Sequence, residues 1–219
     1  MDPQFWLDRW QNQEIGFHLD GVNPLLERHW SALDAPAGCA VFVPLCGKSL
    51  DLVYLRRLGH PVVGVELSAL AVGQFFAENG LEPRVAERGP LRVFEAGGIT
   101  LYQGDLFALT PADLPAIGAV YDRASLIALP PERQPAYAEH LLALVPAAAP
   151  ILLIALDYPA GEMQGPPFST PAAQVERLYG PRRAIDALEV LDALADSPAL
   201  RARGLTALGE TAWRLRAPG

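Results

Sequence analysis

The stretch Ala40-Val41-Phe42-Val43-Pro44-Leu45-Cys46-Gly47-Lys48-Ser49 starts as an apolar, β-branched run and breaks into a turn with a single glycine. A segment of helical period, Ser49 to Leu58, comes next, and a second apolar run, Pro61-Val62-Val63-Gly64-Val65-Glu66, follows it. Strand, helix and strand in that order form a βαβ unit, the building block of a parallel sheet. Working outward, Ile99 to Gln103, Ala119 to Asp122, Ile151 to Asp157, Ala184 to Leu191 and Thr206 to Leu215 also read as strands. Ser68 to Asn79 reads as a helix, with Val72, Phe75 and Phe76 on one face and Ser68 and Gly80 as caps. No helix stands out between the last two runs, so they are expected to pair as an antiparallel hairpin at one edge. The class is therefore α/β, with a mostly parallel sheet and helices on both faces.

At 219 residues the chain has the length of one domain with decorations, and neither a repeat nor a linker divides it. Hydrophobic residues make up 51% and charged residues 19%, ordinary values for a globular protein. A net charge of −8 speaks against a nucleic-acid partner held by phosphate neutralisation. All the basic residues but one are arginine; the exception is Lys48. The stretch Met1-Asp2-Pro3-Gln4 carries an acid where a secretory signal carries positive charge, which predicts a cytoplasmic protein. The longest apolar run, Leu141 to Leu156, is broken by Pro146 and Pro150 and reads as a helix end, a turn and a buried strand, with no membrane span. Cys39 and Cys46 are expected to be buried thiols. His18, His29, His60 and His140 are too scattered to propose a metal site. There is no Gly-x-Ser-x-Gly elbow of a hydrolase.

Ahead of the first strand lie two helical patterns, Pro3 to Asn12 and Gly21 to Leu33, the first holding Phe5, Trp6 and Trp10. The segment Asp157 to Pro171, dense in proline and glycine, follows a central strand and suits a loop over a binding crevice. In open α/β sheets that crevice lies at the carboxyl ends of the strands, so the residues just beyond each strand carry the chemistry.

Gly47-Lys48-Ser49 is half of a phosphate-binding loop, but the required earlier glycine falls on Phe42, and the glycine-rich dinucleotide fingerprint is absent as well. S-Adenosylmethionine carries no phosphate and needs only one close backbone approach there. Glu66, nineteen residues beyond Gly47, can accept hydrogen bonds from both hydroxyls of an adenosyl ribose, or it is simply a solvated carboxylate. Gln103-Gly104-Asp105-Leu106-Phe107 offers a carboxylate and an apolar side chain for an adenine ring; the bland alternative is a helix cap at Asp105. Tyr121-Asp122-Arg123 sets a permanent guanidinium at the crevice mouth, or an arginine–aspartate surface pair.

Phe5-Trp6-Leu7-Asp8-Arg9-Trp10 with Gly16-Phe17-His18, Phe42 to Ser49, Gly59-His60-Pro61-Val62-Val63-Gly64-Val65-Glu66, Tyr121-Asp122-Arg123 and Gly165-Pro166-Pro167-Phe168 together resemble the thiopurine S-methyltransferases, in order along nearly the whole chain. Pro-Leu-Cys-Gly-Lys in place of a glycine-rich loop is the most specific marker, and the short N-terminal part is similar to the bacterial form. The resemblance implies a Rossmann-like sheet of seven strands with an antiparallel C-terminal pair. It implies a single methyltransferase domain over 1–219, with 1–36 as a helical cap over the active site and 37–219 as the core. The implied reaction uses S-adenosylmethionine, leaving S-adenosylhomocysteine, to methylate the sulfur of aromatic or heterocyclic thiols such as thiopurines. Selenium or tellurium compounds are further soft acceptors. By family position Trp10, Leu45, Glu66, Asp105, Leu106 and Arg123 bind the cofactor; Phe17 and Arg123 meet the substrate, and Arg123 is the catalytic residue. The expected partners are small molecules alone: no metal, no nucleic acid, no membrane, and a monomeric chain.

A heterocyclic thiol is more acidic than an alkyl thiol, so Arg123 favouring its anion suffices without a strong base. Trp10 and Phe17 are expected to form an aromatic wall that also attracts the sulfonium charge, with Trp6 in the core. Tyr158 and Phe168 cover substrate or anchor their own loop. Three other readings stay open at this point: a nucleotide hydrolase, a nicotinamide-dependent dehydrogenase, and a protein that binds an adenosyl or aromatic ligand without turnover.

Overall fold

Side chains alternate sides along the central strands, and both sides are buried. β1 (Ala40–Val43) sends Phe42 one way and Val41 and Val43 the other, and β2 (Val62–Glu66) divides Val63 and Val65 from Val62. One layer of the core is completed by Leu25 and Leu26 of α2 (Pro24–His29), Leu52 and Leu55 of α3 (Asp51–Arg57), and Val72, Phe75 and Phe76 of α4 (Ala69–Glu78). The other layer takes Tyr137 and Leu141 of α5 (Gln134–Leu144) and Val175 and Tyr179 of α6 (Ala172–Tyr179). Strands covered on both faces read as continuous apolar runs, which is why the sequence exposes them so clearly. Each fully buried large side chain contributes about 1.5–3 kcal/mol. That outweighs the cost, about 0.5–1 kcal/mol, of Gly73 inside α4.

The structure is a computed structural model describing residues 3–218; Met1 and Asp2 of the opening stretch and Gly219 at the end of the single-domain range lie outside the described residues. Its sheet adds β5 (Ile99–Gln103), β6 (Ile117–Arg123), β7 (Ile151–Asp157), β8 (Ala184–Asp192) and β9 (Gly209–Arg216). These seven strands stand in the order β5-β2-β1-β6-β7-β9-β8. The first five are mutually parallel, and β9 is antiparallel to both β7 and β8. The order reverses between β1 and β6, which makes the carboxyl ends of those two strands the topological switch point where ligands bind in such sheets.

Three expectations change. Among the described residues the sheet has nine strands, because β3 (Arg84–Arg88) and β4 (Leu91–Ala96) add an antiparallel hairpin beyond β5. All five residues of β3 are exposed, so it has no apolar face for a sequence pattern to reveal; pairing with β4 alone makes it a strand. The last two strands are antiparallel as expected, yet a short helix, α7 (Pro198–Ala202), lies between them and β9 starts at Gly209. Leu205 and Leu208, within the expected strand or beside it, pack instead on Tyr158 in a small satellite cluster. The helix expected over Gly21 to Leu33 starts at Pro24, where the Asn23 side chain accepts the amides of Leu25 and Leu26, and gives way to a 3-10 turn over Trp30–Leu33.

Preceding β1, α1 (Pro3–Gln11) packs on α4, and bonds from several core elements hold the rest of the N-terminal segment. The Asn23 amide donates to Asp51 Oδ1 at 2.8 Å, and Arg214 Nη1 donates to the Ala32 carbonyl at 2.9 Å. The other oxygen of Asp51 accepts the Tyr121 hydroxyl at 2.9 Å, so one buried carboxylate joins this segment, α3 and β6.

Candidate active site at the carboxyl ends of the strands

Two non-glycine residues at the switch point have left-handed backbone: Leu45, after β1, with φ 43°, and Ala124, after β6, with φ 62°. Such geometry costs about 1–2 kcal/mol for a residue with a Cβ, and it persists only where surrounding contacts enforce it, most often at functional sites. The enforcing contact is the Ser125 hydroxyl, which donates to the Pro44 carbonyl at 2.7 Å and ties the two loops together.

Glu66 closes β2 and is 6% exposed. Its Oε2 accepts the Gly47 amide at 2.9 Å and its Oε1 accepts the Ser68 amide at 2.7 Å. Burial pushes this carboxyl above its ordinary value, while the amide bonds pull it back. Each oxygen keeps a lone pair, so the group fits two further donors, as a ribose diol would supply. Gly47 has a positive φ of 54°, and a Cβ there would come within 3.1 Å of the Trp10 ring. The close approach that this glycine permits is thus to an indole.

Trp10 is buried, and its ring meets Phe17 edge to face at 5.5 Å between centroids. Phe17 meets Trp6 in the same way at 5.7 Å. Trp6 is half-buried within this aromatic row, outside the core that was expected to hold it. Arg123 Nη1 donates to the Phe17 carbonyl at 2.8 Å. Trp10, Phe17, Arg123, Gly47 and Glu66 are therefore brought into one connected group spanning the ends of β1, β2 and β6.

Asp105 and Leu106 follow β5 and stand differently. Asp105 is exposed and its Oδ1 caps a 3-10 turn by accepting the Phe107 amide at 3.0 Å. The Leu106 side chain belongs to the core, its carbonyl lies 2.9 Å from His140 Nε2, and the exposed apolar neighbour is Phe107. In the Pro-rich loop Tyr158 is buried and donates to the Pro167 carbonyl at 2.7 Å, which makes it an anchor of its own loop. Phe168 is half-buried, its amide held by the Ile127 carbonyl at 2.7 Å.

Several neighbours escaped the sequence reading. The Lys48 ammonium pairs with Glu78 at 2.6 Å with its side chain only 10% exposed, tying the β1 loop to the end of α4. Burial and this ammonium push the His18 imidazole below its ordinary value. Asp122, beside Arg123, is fully buried; it accepts the Tyr137 hydroxyl at 2.8 Å, and burial raises its carboxyl to about 6. The only available signal was its place in Tyr-Asp-Arg, where it read as a partner for the arginine. Cys46 is buried as expected, whereas Cys39 is half-buried, 3.7 Å from His60 Nδ1. Among the described residues no three His, Cys, Asp or Glu side chains group as metal ligands, and no helix is long and apolar enough to cross a membrane.

The chain matches the thiopurine S-methyltransferase family over residues 1–217. It is 51% identical over 218 residues to the thiopurine S-methyltransferase of Methylococcus capsulatus, covering 99% of this chain and 98% of that one. With the enzyme of the same name from Pseudomonas fluorescens it shares 47% identity over 216 residues and 99% of each chain. Among solved structures, a magnesium protoporphyrin IX methyltransferase from Synechocystis with bound S-adenosylhomocysteine superposes with a TM-score of 0.64 at 16% identity, covering 99% of this chain and all of that one. A TehB-like S-adenosylmethionine-dependent methyltransferase from Corynebacterium glutamicum gives 0.56 at 12% identity, covering 98% and 97%.

Sheet order, switch-point loops and a buried strand-two carboxylate without a phosphate cradle define a class I S-adenosylmethionine-dependent methyltransferase. The family match over nearly every residue makes the assignment particular: the chain belongs to the thiopurine S-methyltransferase family, and S-adenosylmethionine-dependent S-methylation of thiopurines is its function. The hydrolase, dehydrogenase and non-catalytic readings fall with that assignment.

Proposed function

We propose that the chain, acting as a monomer with residues 1–36 as a cap over a 37–219 core, methylates the sulfur of aromatic and heterocyclic thiols, and soft selenium or tellurium acceptors besides. The observation that carries this reading is the 2.8 Å bond from Arg123 to the Phe17 carbonyl, which joins a guanidinium and an aromatic wall into one unit above the Glu66 loop. S-Adenosylmethionine supplies an electrophilic methyl on a sulfonium, and S-adenosylhomocysteine remains after transfer.

Glu66 receives the ribose hydroxyls on its two free lone pairs and, through Gly47, fixes the loop that carries Leu45. Trp10 packs against the Gly47 loop, and its ring would attract the positive sulfur of a bound donor. The Asp105-Leu106 turn would hold adenine through its backbone and the second Asp105 oxygen, since Oδ1 serves the cap. Arg123 orients the acceptor and favours its thiolate, while Phe17 walls it. Displacement at a methyl group requires nucleophile, carbon and leaving sulfur in one line, so positioning is most of what the protein contributes.

The test is a mass-spectrometric screen of purified protein with S-adenosylmethionine against thiopurines, substituted thiophenols, and selenium and tellurium compounds. Methylated thiols together with equimolar S-adenosylhomocysteine are expected. Methylation confined to oxygen or nitrogen acceptors would overturn the reading.

A further inference from the structure

Glu210 is the second residue of β9 and lies at the carboxyl end of β7, the end of the sheet that holds the site. The register places it opposite Leu156; two residues on, Ala212 lies opposite Ile154, and Ile154 lies opposite Arg123. Paired residues on adjacent strands share a face, and Ile154, Ala212 and Tyr121 all pack in the layer beneath α2 and α3. Glu210 therefore projects from the face that carries Arg123, one pleat nearer the crevice mouth. It is half-buried, and among the described residues it accepts no hydrogen bond and makes no ion pair. Its carboxylate oxygens are thus left to solvent and to whatever enters the crevice.

The charged and titratable groups around it come from three sides. Arg123 at the end of β6 and Arg28 on α2 both act on its charge, and Arg28 is itself engaged at 2.9 Å by Glu189 of β8, which also takes His29. From β6, Tyr121 feels the Glu210 charge while its hydroxyl is committed to Asp51. On the β8 side stands Leu191, apolar and packed in the same layer, whereas Leu156 of β7 packs against the opposite layer and the Tyr158 cluster. Burial raises the Glu210 carboxyl from its ordinary value and the two arginines oppose that rise, leaving a base stronger than a solvated glutamate.

We propose that Glu210 is the group that takes the proton from an un-ionised acceptor thiol as sulfur attacks the methyl carbon. The inference rests on the thiol-methylation reading above. In the step, the acceptor S–H bond breaks and its proton passes to a Glu210 carboxylate oxygen. The S–H electron pair stays on sulfur and forms the new S–CH3 bond. The old bond from methyl to sulfonium breaks, its electron pair stays on the departing sulfur, and the proton later leaves Glu210 for water. Arg123 serves the acceptors that arrive as thiolates, and Glu210 those that arrive as thiols. A positioned base typically contributes 10²–10⁴-fold.

The experiment compares wild type with Glu210→Gln on two aromatic thiols, one strongly acidic and already ionised at neutral pH, the other weakly acidic. On the weakly acidic thiol at pH 7 the variant should lose about 10²-fold in kcat/KM, and on the ionised thiol it should change less than about threefold. The acid limb of kcat/KM for the weak thiol should move, in the variant, from the carboxylate range up to the thiol's own ionisation, and Glu210→Asp should restore part of the rate. Calorimetric affinity for S-adenosylhomocysteine and the thermal midpoint should be unchanged. Equal losses on both thiols, or an unmoved acid limb, would overturn the proposal. Should the variant fail to fold, the wild-type profile decides: a weak-thiol rate that simply follows that thiol's ionisation overturns it too. Absence of methyl transfer to every thiol by the wild type would instead overturn the underlying function.

Discussion

Replacing Glu66 by glutamine keeps the shape of the side chain but turns one of two acceptors into a donor. In the native chain Oε1 receives the Ser68 amide and Oε2 the Gly47 amide, so neither orientation of the new amide satisfies both. One backbone N–H is left facing an NH2 group at a position 6% exposed, a defect costing about 1–3 kcal/mol. For a domain of this length that lowers the thermal midpoint by about 2–4 °C per kcal/mol. Cofactor binding loses more, because one ribose hydroxyl also loses a charged acceptor, worth about 1.5–3 kcal/mol. At 1.4 kcal/mol per decade the dissociation constant rises about tenfold to a hundredfold. Calorimetric titration with S-adenosylmethionine and S-adenosylhomocysteine, alongside thermal unfolding of the free protein, separates the two effects. A variant that melts early yet binds both ligands within about threefold of wild type would refute the ribose assignment and leave Glu66 as a structural staple of the Gly47 loop.

Arg123→Ala should reduce turnover on ionised thiols about tenfold or more while S-adenosylhomocysteine affinity, read by calorimetry, stays within about threefold; a larger fall in affinity than in turnover would contradict the orienting role. Asp122 tests the buried carboxylate through pH. Its carboxyl stands at about 6 in the folded chain against an ordinary 3.8, so the folded state holds the proton more tightly and stability falls as pH rises through that window. The fall amounts to about 3 kcal/mol. Asp122→Asn should abolish it, so the difference in unfolding free energy between wild type and variant should shift by that amount between pH 4 and 7. Parallel pH curves in denaturant titrations would show the carboxyl to be unperturbed. Tyr179→Phe removes a buried hydroxyl that has no hydrogen-bond partner among the described residues and should raise stability by about 1 kcal/mol with activity unchanged; a clear loss in the thermal midpoint would reveal a hidden partner.

What could be read from the sequence follows the physics of burial. The five parallel strands are covered on both sides, so each is an apolar run bounded by turns, and their limits were placed to within a residue or two. β3 is held by its ladder to β4 and buries nothing, so Arg84-Val85-Ala86-Glu87-Arg88 looked like loop. The short α7 was hidden for a related reason: none of its residues is buried, and no apolar stripe marks it. Conversely Trp6 was read as core from its i, i+4 relation to Trp10, but helical spacing says only that two rings share a face, and this face meets Phe17 and partly open solvent.

For the site, the dividing line is sequence distance. Glu66, Asp105 and Arg123 are legible because topology makes any residue just after a parallel strand a crevice residue. Asp51 and Glu210 are not, because their position depends on partners far away in the chain: Asp51 on Tyr121 and Asn23, Glu210 on the antiparallel register that carries β9 back to the end of β7. The same distinction divides the chemistry. The strand ends, with Glu66 held by the amides of Gly47 and Ser68, form a socket whose donors and acceptor all lie just beyond β1 and β2. The acceptor side is assembled from pieces brought together only by tertiary structure, with Phe17 from the N-terminal segment held by Arg123 from β6, and Glu210 from β9 on the same face. If Phe17, Arg123 and Glu210 meet the acceptor as proposed, substitutions there should alter which acceptor is methylated before they alter whether the methyl donor binds.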